Sequence, residues 1–294
     1  MKLIIEPPTW LGDIVMSTGA IKALINKINP DEIVIFGNSF IKDIFNFECK
    51  KIVYKNKYID LIKNMSYLRG DIAVSFRKHL FSKILVSFSK EGYVNDININ
   101  AHQVEKYSYF VNKIIHEEQV YSPVLDMNPK KKTKLIAGIN PGATYGSAKR
   151  WYPEEFAKVA NEIGKIYDEV IIFGGPREEE IANDIEKHLR IKNYQNLCGK
   201  LNIKELCEYI GGLSLFITND SGPMHIAAAF NVPIVAIFGP TDYTETHPWS
   251  NNYKIVTKNL DCAPCKKREC PLKHHKCMKE IKAEDVIKAI KELK

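Results

Sequence analysis

Short runs of β-branched and apolar residues alternate with longer amphipathic segments along most of the chain. Leu3–Ile5, Ile33–Phe36, Lys51–Tyr54 and Asp71–Ser75 read as strands, with helices near Gly19–Ile28 and Asp60–Tyr67. The stretch Met127–Lys134 is polar, proline-containing and strongly basic, so it reads as a linker. After it the pattern restarts. Leu135–Ile139, Glu169–Phe173, Leu215–Thr218 and Ile234–Phe238 read as strands, with helices near Pro153–Lys165, Arg177–Leu189 and Ile203–Ile210. In the tail Ala283–Leu293, one helical face carries Val286, Ile287, Ile290 and Leu293, which must be buried against something already folded. Strands alternating with helices predict parallel sheets covered by helices. The expected class is therefore α/β, with domains at residues 1-130 and 131-280 and a closing helix at 281-294.

The 294 residues, 45% of them hydrophobic, suffice for two cores, and two lobes imply a cleft. Met1 to Pro8 gives only a short apolar run before Glu6 and two prolines, so a signal-peptide core is not expected there. No apolar run approaches the roughly 18 residues of a membrane span. The expected location is cytoplasmic. Lysine plus arginine exceeds aspartate plus glutamate by 42 to 35, which suits an anionic ligand or an anionic membrane surface. Nucleic acid is not an expected partner, since no stripe of basic and aromatic residues accompanies that excess.

Candidate chemistry collects where predicted strands end. Trp10-Leu11-Gly12-Asp13 follows the first strand, where α/β proteins place ligand sites. A carboxylate there suits a general base for an attacking hydroxyl, and the competing reading is that Asp13 caps a helix starting near Ile14. Arg77-Lys78-His79, with Lys83, follows the fourth strand and either docks a negatively charged acceptor or forms a solvated helix face.

In the second half, Asn140 to Trp151 forms a glycine- and hydroxyl-rich loop ending in Lys149-Arg150. Its amides, with the Thr144 and Ser147 hydroxyls, suit phosphate oxygens, and Lys149 suits the charge of a departing diphosphate. The P-loop spacing is absent, and a solvated Lys-Arg pair on a turn is the alternative. Phe173-Gly174-Gly175-Pro176 and Phe238-Gly239-Pro240-Thr241-Asp242 are two further strand exits, the latter suited to the nucleotide side of the cleft. The sharpest segment is Asn219-Asp220-Ser221-Gly222-Pro223-Met224-His225, a strand end entering a small-residue helix whose amides suit an anion. Asp220 would repel phosphate and better matches sugar hydroxyls. His225 either touches phosphate or is a hydrogen-bonded structural histidine.

The seven cysteines read as reduced thiols. Cys262, Cys265, Cys270 and Cys277, with His274 and His275 among them, have spacings a small structural zinc site can use. Packed thiols and disulfides formed on oxidation are the alternatives.

Taken together, Gly12-Asp13, the loop from Pro141-Gly142-Ala143 to Lys149-Arg150-Trp151, Phe173-Gly174-Gly175 and Asn219 to His225 resemble glycosyltransferase family 9, the heptosyltransferases. Cys262-Ala-Pro-Cys265-Lys-Lys-Arg-Glu-Cys270-Pro and His102-Gln103-Val104-Glu105 look most like the heptosyltransferase II subgroup. The resemblance implies a GT-B fold, two Rossmann-like α/β domains facing a central cleft, the first binding acceptor and the second the nucleotide sugar. It implies an inverting transfer of heptose from ADP-heptose to the heptose on Kdo-lipid A, at the cytoplasmic face of the inner membrane, with peripheral membrane contact and no required cofactor. Position by position, Asp13 matches the general base, Lys149 the donor phosphate contact and Asp220 the carboxylate reading donor heptose hydroxyls; Thr144 and the amides around Gly222 fit the diphosphate site. Heptosyltransferase I, another family 9 core transferase, a nucleotide-sugar epimerase and a non-catalytic nucleotide-sugar binding module are the alternative readings.

Overall fold

The computed structural model describes residues 1–130 and 133–293. It divides into two compact units, Met1–Asp126 and Met127–Lys294. Of the stretch expected as a linker, residues 127–130 carry no regular element, and Lys131 and Lys132 lie outside the described residues.

The first unit alternates β1 (Lys2–Glu6), α1 (Leu11–Ile28), β2 (Glu32–Gly37), α2 (Ile41–Ile44), β3 (Lys50–Val53), α3 (Lys57–Lys63), β4 (Ile72–Ser75), α4 (Leu80–Val86), β5 (Glu91–Val94) and α5 (Gln103–Ile115). Its strands form one parallel sheet in the order β3-β2-β1-β4-β5. On one side of the sheet, Ile4, Val34, Phe36, Ala73, Phe81 and Leu85 share a core. α1 begins eight residues before the expected Gly19, and Trp10 is its N-cap without a side-chain cap bond. Gly19 admits the backbone of Ser122 against α1: a Cβ there would lie 2.1 Å from the Ser122 carbonyl oxygen.

The second unit runs β6 (Ile136–Asn140), a 3-10 turn (Ser147–Lys149), α6 (Pro153–Ile163), β7 (Glu169–Ile172), α7 (Glu179–Glu186), β8 (Tyr194–Asn196), α8 (Ile203–Gly211), β9 (Leu215–Asn219), α9 (Gly222–Ala229), β10 (Ile234–Ile237), α10 (Tyr243–Thr246), β11 (Tyr253–Val256), α11 (Lys276–Lys279) and α12 (Ala283–Lys291). Its parallel sheet has the order β11-β10-β9-β6-β7-β8. Central strands buried on both faces account for the near-continuous apolar runs at β6, β9 and β10. The tail helix α12 buries Ala283, Val286 and Ala289, and Ile287, Ile290 and Leu293 pack beside them. Trp151 joins the same core, its indole N–H donating to the Ile281 carbonyl at 3.0 Å.

In each unit, the connections leave the first strand in opposite directions across the sheet. The resulting switch points lie between β1 and β4, and between β6 and β9. Ligands of doubly wound sheets bind outside the carboxyl ends of the strands at such points.

Candidate active site

At the β1/β4 point, β1 ends in Glu6 opposite Ser75 of β4. The Glu6 side chain is fully buried and accepts from the Ser75 hydroxyl at 2.6 Å and from Arg77 Nη1 at 3.1 Å. Arg77, expected to dock an acceptor anion, thus already has its charge compensated by an internal carboxylate. Lys78 is exposed.

Asp13 lies in the first turn of α1, and the helix starts too early for it to be the cap. A carboxylate in this position interacts favourably with the positive end of the helix dipole. The Tyr107 hydroxyl, from α5, donates to Asp13 Oδ1 at 3.1 Å. Burial pushes the Tyr107 phenol well above its ordinary range, and the Asp13 charge raises it further, so it stays a neutral donor. Gly12 precedes Asp13 in the same turn. Tyr107 escaped sequence reasoning, although a signal was present. His102-Gln-Val-Glu105 forms a capping box in which His102 Nδ1 accepts from Val104 N, and that box starts the helix that carries Tyr107.

At the β6/β9 point, the loop from Asn140 and the turn after Asn219 are bound together. Asn219 Nδ2 donates to the Pro141 carbonyl at 2.7 Å while its Oδ1 accepts from Trp151 N, so one side chain fixes both ends of the loop. Asn140 Nδ2 reaches Ser221 Oγ at 3.2 Å. The 3-10 turn delivers Lys149 to Asp220, with Nζ 2.6 Å from Oδ2 and the two side chains 13% and 5% exposed. The Thr241 hydroxyl, in the loop after β10, donates to the same oxygen at 2.7 Å. The two charges assigned separately from the sequence, one to phosphate and one to sugar, therefore stand in direct contact.

The Ser221 hydroxyl faces Asn140 and Thr218 and does not cap α9. Gly222 and Pro223 open that helix. Met224 is fully buried and its amide donates to the Ser221 carbonyl, so its side chain belongs to the core and not to a ligand surface. His225 is buried in the first turn. Thr144 and Ser147 are exposed on the loop. Asp242, expected on the nucleotide side, instead caps α10 by accepting from Thr244 N.

A further buried carboxylate went unnoticed in the sequence. Glu178 Oε2 accepts from Gly175 N at 2.8 Å, and a Cβ on Gly142 would sit 2.0 Å from that oxygen. Gly142 and Gly175 thus let two strand-end loops close on Glu178.

All four thiols of the cysteine-rich segment are unoxidised. Among the described residues, no three His, Cys, Asp or Glu are arranged to hold a metal ion, and so the candidate zinc ligands are not brought together. Cys270 Sγ accepts from His275 N at 3.4 Å; that amide bond, joined by neighbouring amides, holds its thiol below the ordinary range. Cys277 is buried, and burial, reinforced by the other three thiols, pushes it up to about 11. The segment braces the loop between Asn140 and Trp151: Ala148 N donates to the Arg268 carbonyl at 3.0 Å, Tyr145 OH to the Lys266 carbonyl at 3.0 Å, and His275 Nε2 lies 2.8 Å from the Ala148 carbonyl.

Two doubly wound units of this kind constitute the GT-B fold of glycosyltransferases, and solved structures of that fold superpose on nearly the whole chain. An E. coli ADP-heptose LPS heptosyltransferase II matches with a TM-score of 0.81 at 20% identity, over 99% of this chain and 98% of that one. A family 9 glycosyl transferase from Veillonella parvula DSM 2008 matches with a TM-score of 0.84 at 19% identity, over 99% and 96%. The family model of glycosyltransferase family 9 (heptosyltransferase) matches residues 71–276. A lipooligosaccharide heptosyltransferase 2 from Campylobacter jejuni subsp. jejuni serotype O:6 is 41% identical over 314 residues, covering 100% of this chain and 99% of that protein. The chain belongs to glycosyltransferase family 9 and is a glycosyltransferase. Among the described residues no helix is long and apolar enough to cross a membrane.

Proposed function

We propose that this enzyme moves L-glycero-D-manno-heptose from ADP-heptose to the inner-core heptose of a Kdo-lipid A acceptor, with inversion, as a heptosyltransferase II. The observation that carries the donor assignment is the Lys149–Asp220 pair, held by Thr241 at the β6/β9 switch point. In a sugar nucleotide, the sugar hydroxyls and the β-phosphate lie side by side across the anomeric carbon. A cation and a carboxylate in contact match that junction, one to each side. A heptosyltransferase 2 that is 41% identical over nearly the full length of both chains supports the same reading.

In the proposed reaction, Asp13 takes the proton of the acceptor hydroxyl as its oxygen bonds to the anomeric carbon. The bond from that carbon to the β-phosphate oxygen breaks, and ADP leaves with the electron pair. Lys149 and the amides around Gly222 receive the developing charge, so the scheme needs no obligatory metal. Thr144 and Ser147 supplement the diphosphate site, and the cysteine-rich segment acts structurally. Since the acceptor is lipid-linked, the reaction belongs at the cytoplasmic face of the inner membrane.

Mass spectrometry of the purified enzyme with ADP-heptose and heptosyl-Kdo2-lipid A tests this. A gain of one heptose, lost in Asp13→Asn and absent without acceptor, is the expected result. Donor consumption without acceptor would favour an epimerase, and an unaffected Asp13→Asn would remove Asp13 as base.

A further inference from the structure

The first unit exposes large apolar side chains where a soluble surface ordinarily carries few. On α3, Tyr58, Ile59 and Ile62 are exposed; on α4, Leu80 and Ile84 are, with Ile62 68% and Leu80 71% accessible. Tyr58 and Ile62, and likewise Leu80 and Ile84, are spaced four residues apart, so each pair lies along one helix face. The two helices are neighbours: the Tyr58 ring meets the Phe81 ring edge-on at 5.2 Å, and Lys57 Nζ sits about equally near both rings, at 5.1 and 5.0 Å. The exposed residues thus lie on two helices whose first turns touch.

The patch is strongly cationic. Residues 55–63 and 78–86 carry Lys55, Lys57, Lys63, Lys78 and Lys83 against the single carboxylate of Asp60. Asp60 is turned inward on its own helix start, accepting from the amides of Lys55 and Asn56. Contiguous exposed apolar surface marks an interaction site. Apolar side chains set among lysines match an anionic bilayer, whose headgroups take the ammonium groups while the apolar tips enter the acyl boundary. α3 and α4 also begin just after the carboxyl ends of β3 and β4, the sheet edge that carries Glu6, Arg77 and Asp13.

We propose that the α3–α4 face docks this enzyme on an anionic lipid surface. The inference rests on the reading that the acceptor is lipid-linked, and gives that reading a physical surface.

Flotation of the full chain with vesicles of phosphatidylethanolamine and phosphatidylglycerol, and with phosphatidylcholine alone, tests it. Wild type is expected to float with the anionic vesicles and not with the neutral ones. Each surface lysine strengthens such binding about fivefold, so Lys55→Gln/Lys63→Gln should weaken it about 25-fold. Ile62→Ser/Leu80→Ser should also abolish most of it. Both variants should keep the wild-type melting temperature and the wild-type rate on a soluble, deacylated acceptor. Folded variants that float like wild type would overturn the proposal, as would an active wild type that ignores anionic vesicles. Self-association lost in Ile62→Ser/Leu80→Ser, without vesicle binding, would overturn it in favour of a protein contact. Patch-dependent flotation of a chain with no heptose transfer would uphold the docking surface and defeat only the heptosyltransferase reading.

Discussion

Replacing Lys149 by Met isolates the ion pair at the β6/β9 switch point. Asp220 would be left 5% exposed with its charge opposed only by the Thr241 hydroxyl. Breaking a buried pair by removing one partner costs about 3–5 kcal/mol. The retained Thr241 bond and the partial exposure of Lys149 place this case near the lower end, about 3 kcal/mol. For a unit of this size, each kcal/mol lowers the melting temperature by about 2–4 °C, so a drop of about 6–12 °C is expected. Lys149→Met/Asp220→Asn removes both charges and should recover at least half of that loss, because Asn can still accept from Thr241. Calorimetry with ADP completes the assay. Saturating ADP at about 100 times its Kd should stabilise wild type by about 2.7 kcal/mol and Lys149→Met by much less. Lys149→Met melting within about 2 °C of wild type, or strictly additive single and double variants, would refute the reasoning.

Other expectations follow from the same geometry. Asp13→Asn should lower kcat by about 10²–10⁴ while donor affinity by calorimetry stays unchanged. Tyr107→Phe removes the donor to Asp13 Oδ1 and should lower kcat about tenfold with little change in donor KM, read in steady-state kinetics. Gly19→Ala would ordinarily stabilise a helix by about 1 kcal/mol, but the Ser122 carbonyl 2.1 Å from the new Cβ reverses the sign; urea unfolding should show a loss of about 1–3 kcal/mol. Burial favours the neutral phenols of Tyr54 and Tyr107 in the folded chain, so their folded pKa values lie above the unfolded ones. That stabilisation is intact below about pH 10 and is lost as pH rises through the folded values. Tyrosinate absorbance from these residues should therefore lag the titration of free tyrosine and rise together with alkaline unfolding.

Strand identity was legible where apolar runs are long and buried on both faces, as at β6, β9 and β10. It was not at β5 and β8, whose Glu-Gly-Tyr-Val and Tyr-Gln-Asn segments become strands only through pairing with β4 and β7. α1 was read too short because Pro7, Pro8 and Gly12 suggest loop and Trp10 supplies no capping side chain. Two residues of the candidate site, Asp220 and Lys149, stood out by their loop contexts. Their mutual contact did not, because 71 residues separate them and only the β6–β9 pairing brings their loops together. Glu178 was not legible, because its burial depends on Gly142 from another loop as well as on Gly175 of its own.

The brace around Ala148 also couples the thiol segment to the loop that carries Lys149. Residues 145–148 hang from the backbone of Lys266 and Arg268 and from the His275 ring, and Lys266 N is itself tied to the Pro240 carbonyl beside Thr241. A bulky adduct on Cys262, Cys265 or Cys270 would therefore tilt both loops that position Lys149 and Asp220. Sensitivity of the enzyme to thiol reagents would in that case report a bent splint, and would be no sign of a cysteine in the chemistry.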